Sequence, residues 1–108
     1  MTPEGKVKEQ IKEILDSFAP EVSYKMVIPS HMGNSTGMED FTVCAYGFYL
    51  AVEAKATRKD KLRPAQVSTK IDLEKAGGIY IIIHEDNISF LRQVLLALKA
   101  RRAKLNER

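Results

Sequence analysis

The chain predicts an α/β fold, a mixed β-sheet flanked by helices in the order α-β-β-β-α-β-α. Three observations carry this. Val7, Ile11, Ile14, Leu15 and Phe18 fall on one stripe at helical spacing, two β-rich runs meet at Tyr46-Gly47, and an unbroken apolar run, Ile79 to Ile83, follows a helical stretch.

The first helix runs from Pro3 to Phe18, with Pro3 in the first turn and Ala19-Pro20 ending it. Val22 to Ile28 reads as a strand closed by Pro29. Ser30 to Gly37 is a loop by its Gly, Ser and Asn content. Phe41 to Tyr46 and Phe48 to Lys55 form a hairpin turning at Tyr46-Gly47. Arg63 to Ala76 is a second helix with Pro64 near its start, Val67, Ile71 and Leu73 facing inward, and Gly77-Gly78 as its stop. Ile79 to Ile83 has the continuous β-branched character of a strand covered on both faces. Its helical crossover from the preceding strand makes the two strands parallel. A last helix spans Asn87 to Lys104, with Ile88, Leu91, Val94, Leu95 and Leu98 on one stripe.

The 108 residues, 44% hydrophobic with a formal charge of +3, fit one compact domain over residues 1–108 and argue against disorder. The longest apolar run is too short to span a bilayer, and the N-terminus has no apolar leader. One Cys excludes an internal disulfide and suits a reducing compartment. A soluble, cytoplasmic protein without a membrane partner is therefore expected. The Gly-rich stretch Gly33 to Gly37 lacks the G-K-[ST] ending of a P-loop, so no nucleotide cofactor is expected.

The chemistry concentrates where the hairpin ends. Alternation puts Glu53 and Lys55 on one face of the third strand, and lone charges on a buried strand are costly. If Tyr46-Gly47 is a two-residue turn, Ala45 pairs with Phe48, and Asp40 falls opposite Glu53 with Cβ atoms about 5 Å apart. Two carboxylates that close call for a cation between them, most naturally Mg²⁺ with oxygen ligands. Lys55 would neutralise charge building on a phosphate or orient a water. Carboxylate pair, lysine and metal together describe phosphodiester hydrolysis. Glu4, on the core-facing stripe of the first helix with Val7 and Ile11, is placed to supply a third carboxylate. Each residue alone also has an ordinary role: E-x-K as a surface ion pair, Asp40 as a turn residue, Glu4 as a helix-dipole partner. Arg58, Lys59, Lys61 and Arg63 follow the catalytic strand directly and lead the candidates for DNA phosphate contacts, with Lys25 and His31 behind them.

Gly37-Met38-Glu39-Asp40-Phe41, then Tyr49 to Ala56, then Gln66, then Lys75 to Gly78 before an apolar strand, resemble the virus-type replication-repair nuclease (VRR-NUC) domain of the PD-(D/E)xK superfamily, a restriction-endonuclease-like core. The resemblance covers roughly Glu4 to Ile83. It implies Asp40 and Glu53 as metal ligands, Lys55 as catalytic lysine and Gln66 as support for the site or contact to nucleic acid, with Glu4 matching the helix carboxylate. Small stand-alone members are largely phage-encoded, which would place this chain in a host cytoplasm. They are similar to Holliday-junction resolvases that act as homodimers on branched DNA with Mg²⁺ or Mn²⁺. The family usually reads G-(I/V)-P-D. Here Glu39 takes the proline position, and strand alternation directs it to the face opposite Asp40. A non-catalytic DNA-binding module and a structural assembly partner are the alternatives to an endonuclease.

Overall fold

The computed structural model describes residues 1–27 and 37–107, which carry the predicted elements in the predicted order. These are α1 (Pro3–Asp16), β1 (Val22–Met26), β2 (Phe41–Ala45), β3 (Phe48–Ala54), α2 (Pro64–Lys75), β4 (Ile79–Ile83) and α3 (Ile88–Leu105). The sheet order is β1-β2-β3-β4. β1, β2 and β3 are antiparallel neighbours, and β4 runs parallel to β3, as a strand reached through a helical crossover should. The fold is α/β with a mixed sheet.

The hairpin sets the register. Tyr46 and Gly47 both have positive φ, 54° and 87°, the pair of left-handed residues a type I′ turn needs. Ala45 consequently faces Phe48, and Phe41 faces Val52. Arg102 locks the turn from outside: its Nε donates to the Tyr46 carbonyl at 2.8 Å, and its guanidinium lies 4.8 Å from the centre of the Phe48 ring.

Alternation then divides the sheet into two faces. Phe41, Val43, Ala45, Leu50, Val52, Ala54, Ile81 and Ile83 point into one core, filled from the other side by Val7, Ile11 and Leu15 of α1 and Leu91, Leu95 and Leu98 of α3. α2 packs on the opposite face, against β4. β4 is therefore covered on both faces although it is an edge of the sheet.

α2 departs from expectation. Val67 and Ile71 are exposed, at 41% and 45%, and the residue it buries is Gln66. The apolar residues of this helix form too weak a stripe to decide its orientation, so the hydrogen bonds of one buried amide orient it instead. No helix among the described residues is long and apolar enough to cross a membrane.

Candidate active site

The parallel strands β3 and β4 end at the same edge of the sheet, where β2 begins and α2 starts, so several chain segments converge there. Carboxyl ends of parallel strands are where open α/β sheets usually place their sites. The hairpin register carried one pair beyond Phe41–Val52 sets Asp40 against Glu53, and their groups interlock. The Asp40 backbone N–H donates to Glu53 Oε1 at 3.1 Å, while Asp40 Oδ2 accepts from the Ala54 N–H at 2.8 Å.

Gln66, in the first turn of α2, closes the group. Its Nε2 donates to Glu53 Oε2 at 2.7 Å, and its Oε1 accepts from Lys55 Nζ at 3.2 Å and from the Arg63 N–H at 2.9 Å. Carboxylate on one side and two donors on the other permit one orientation of the amide. Lys55 Nζ also lies 3.5 Å from Glu53 Oε2. The structure thus brings Asp40, Glu53, Lys55 and Gln66 into one connected cluster.

Its electrostatics are those of a buried acid short of compensation. Glu53 is only 3% exposed. Burial, then the neighbouring Asp40, pushes its pKa up to about 7, against the opposing pull of Lys55 and the Gln66 hydrogen bond. Tyr80, on the Glu53 face of β4, has a buried hydroxyl with no hydrogen-bond partner among the described residues. Burial raises its pKa first, and the charges of Glu53, Glu39 and Asp40 raise it further. An acid that resists ionisation beside an orphaned hydroxyl suits a site completed by something else.

The remaining candidates divide. Glu4 is not part of a three-carboxylate cluster with Asp40 and Glu53; among the described residues no three His, Cys, Asp or Glu side chains converge in that way. Lys8, one turn along α1, stands between them, with Nζ 3.5 Å from Glu4 Oε2 and 3.5 Å from Asp40 Oδ1. Arg58, Lys59, Lys61 and Arg63 are exposed on the segment joining β3 to α2. That segment is braced by Thr57 N–H to Asp60 Oδ2 at 3.0 Å. Lys25 is exposed on β1, opposite Thr42 and so on the Glu53 side of the sheet. His31 and most of the Ser30–Gly37 loop lie outside the described residues.

Glu39 corrects an expectation. Instead of pointing to the face opposite the site, it is buried, and its Oε2 accepts from Tyr49 Oη at 2.6 Å and Thr42 Oγ1 at 3.0 Å. Thr42 and Tyr49 lie on the Glu53 face. β2 begins at Phe41, so strand alternation does not reach Glu39. Two hydrogen bonds tie down the segment entering β2 where a proline would stiffen it.

The hydrophobic stripe of α1, Val7, Ile11 and Leu15, carries no sign of Lys8. The lysine's spacing of four from Glu4, which places both on one helix face, is the signal that could have found it.

No family model matches the chain, and no curated protein matches it. A solved structure described as "VRR_NUC domain" is similar to it, with a TM-score of 0.70 at 23% identity, covering 86% of this chain and 97% of that one. The chain therefore has the fold of that domain.

Proposed function

We propose that this chain is a metal-dependent DNA endonuclease that hydrolyses phosphodiester bonds at the Asp40–Glu53–Lys55 cluster. The observation that carries the reading is the connected chain of contacts from Asp40 through buried Glu53 and Gln66 to Lys55. A structural ion pair does not need a second carboxylate that raises the proton affinity of the first. A cation site does.

The donor set fits a hard divalent ion such as Mg²⁺ or Mn²⁺, which accepts one or two carboxylates and completes its shell with water. Asp40 and Glu53 would hold it. Such an ion, when bound, supplies Lewis-acid charge and a more acidic water. The protein's own contribution is placement: Gln66 holds the Glu53 carboxylate and the Lys55 ammonium in fixed relation. Lys55 then presents its positive charge where negative charge gathers on the phosphate oxygens. Arg58, Lys59, Lys61 and Arg63 offer phosphate contacts on the segment between β3 and α2, Lys25 extends that set from β1, and His31, outside the described residues, is a candidate by sequence. Branched DNA is the proposed substrate and a homodimer the proposed form, since two strands cut symmetrically need two sites and each chain carries one.

The test is cleavage of labelled four-way junction, flap and linear duplex DNA with Mg²⁺, Mn²⁺ or EDTA, beside Asp40→Ala and Lys55→Ala. Metal-dependent nicking lost in both variants is expected, with paired symmetric cuts in the junction. Cleavage that survives either substitution would overturn the assignment.

A further inference from the structure

Lys8 is the charged group at the site that the nuclease reading leaves unused. Its ammonium lies 3.5 Å from Asp40 Oδ1 and 3.5 Å from Glu4 Oε2, on a side chain 28% exposed. The other carboxylate oxygens of the pair each hold a backbone N–H or the Gln66 amide, and Lys55, near Glu53 Oε2, is the less exposed of the two lysines at 12%. Asp40 Oδ2 holds the Ala54 N–H, Glu53 Oε1 holds the Asp40 N–H, and Glu53 Oε2 holds the buried Gln66 amide. Asp40 Oδ1 is the oxygen whose partner sits on a long, flexible, partly solvated side chain.

We propose that Lys8 is a built-in cation that occupies the outward edge of Asp40 until a divalent ion displaces it, and that it thereby sets the site's affinity for metal. This rests on the metal-dependent reading above. Displacement is easy by construction. The contact with Asp40 is partly exposed, and pairs of that kind are weak. On leaving Asp40 the ammonium keeps Glu4, one helical turn away, as its partner. Glu4 thus acts as a resting place for the lysine instead of as a metal ligand. Lys8 is a positioning residue: while the metal is absent it pairs with Asp40 Oδ1, and while the metal is present its charge, one side chain away, opposes the ion.

The test is calorimetric titration of Mn²⁺ into the full chain at pH 8, comparing wild type with Lys8→Met, Lys8→Arg and Glu4→Gln. Removing a positive charge this near the ion should tighten binding roughly tenfold in Lys8→Met. Lys8→Arg, which keeps the charge, should stay near wild type, and Glu4→Gln should bind more weakly because the lysine loses its alternative partner. Wild-type binding with Lys8→Met equal or weaker, or with Lys8→Arg as tight as Lys8→Met, would overturn the role of Lys8 and leave the metal site standing. Absence of saturable binding in wild type and Lys8→Met alike would overturn both. The three variants carry their changes on partly exposed positions of α1, and a thermal melt of all four proteins in EDTA confirms that the binding comparison is between folded chains.

Discussion

Glu53→Gln should stabilise the metal-free protein at alkaline pH, and the effect should vanish in acid. A carboxyl whose folded-state pKa lies above its unfolded value binds its proton more tightly in the native chain. Folding is therefore favoured at low pH, and that contribution is lost as pH rises from 4.5 through about 7, the folded value for Glu53. The group is 3% exposed, so solvent does little to screen it. At about 1.4 kcal/mol per pKa unit, the loss between pH 5 and pH 8 is about 2–3 kcal/mol. Against the typical ~5–15 kcal/mol of a small domain that is a large fraction. The assay is urea unfolding in EDTA at pH 5, 6, 7 and 8 for both proteins. Only the pH dependence of the wild-type-minus-variant difference matters: other carboxyls cancel, and so does any constant change from placing an amide against Gln66. The variant should gain on wild type by 2–3 kcal/mol across the range. A difference flat with pH, or one that moves in favour of wild type as pH rises, would refute the account of Glu53 as a buried acid lacking compensation.

The same titration should govern cation binding. A divalent ion needs Glu53 ionised, so Mn²⁺ affinity should climb by up to about tenfold per pH unit below pH 7 and level off above it, measured by calorimetry across pH 5.5–8.5. Tyr80→Phe removes a buried hydroxyl that has no partner among the described residues and should raise stability by about 1 kcal/mol, read from the urea midpoint. Gly47→Ala should cost about 1–2 kcal/mol, because its φ of 87° disfavours any side chain and the new Cβ would meet Arg102 Nη2 at 2.7 Å. A melting temperature within a degree of wild type would contradict that. Gln66→Leu should destabilise the fold by about 2–3 kcal/mol in chemical denaturation, since it strips partners from buried Glu53, Lys55 and the Arg63 N–H at once.

Much of the site was legible because a single local feature fixes it. Two residues of positive φ at Tyr46 and Gly47 set the hairpin register, and the register alone carries Asp40 to Glu53. Lys55 follows by strand alternation. Gln66 came from the resemblance: its burial could not be read from α2, whose Val67 and Ile71 looked like the inward residues and are exposed. The stripe there is weak, and what orients the helix is a set of polar contacts to residues on another element.

Glu39 and Lys8 lie beyond local sequence pattern for opposite reasons. Glu39 lies two residues before β2 starts, beyond the reach of period-two alternation, and the backbone there turns its carboxylate toward Thr42 and Tyr49. Lys8 lies within a helix of clear periodicity, but its significance depends on Asp40, which no local pattern connects to α1. A carboxylate assigned to α1 as a third ligand is instead separated from the pair by the lysine one turn away. The helix therefore delivers a positive charge to the site where a negative one was expected. Without metal, each of the two acids has one nearby cation, Lys8 at Asp40 and Lys55 at Glu53. What remains unbalanced is Glu53, still raised to about 7 with Lys55 beside it, because burial outweighs a single ion pair. That residual imbalance, located on the acid and absent from its neighbours' geometry, is the physical quantity a divalent ion would relieve.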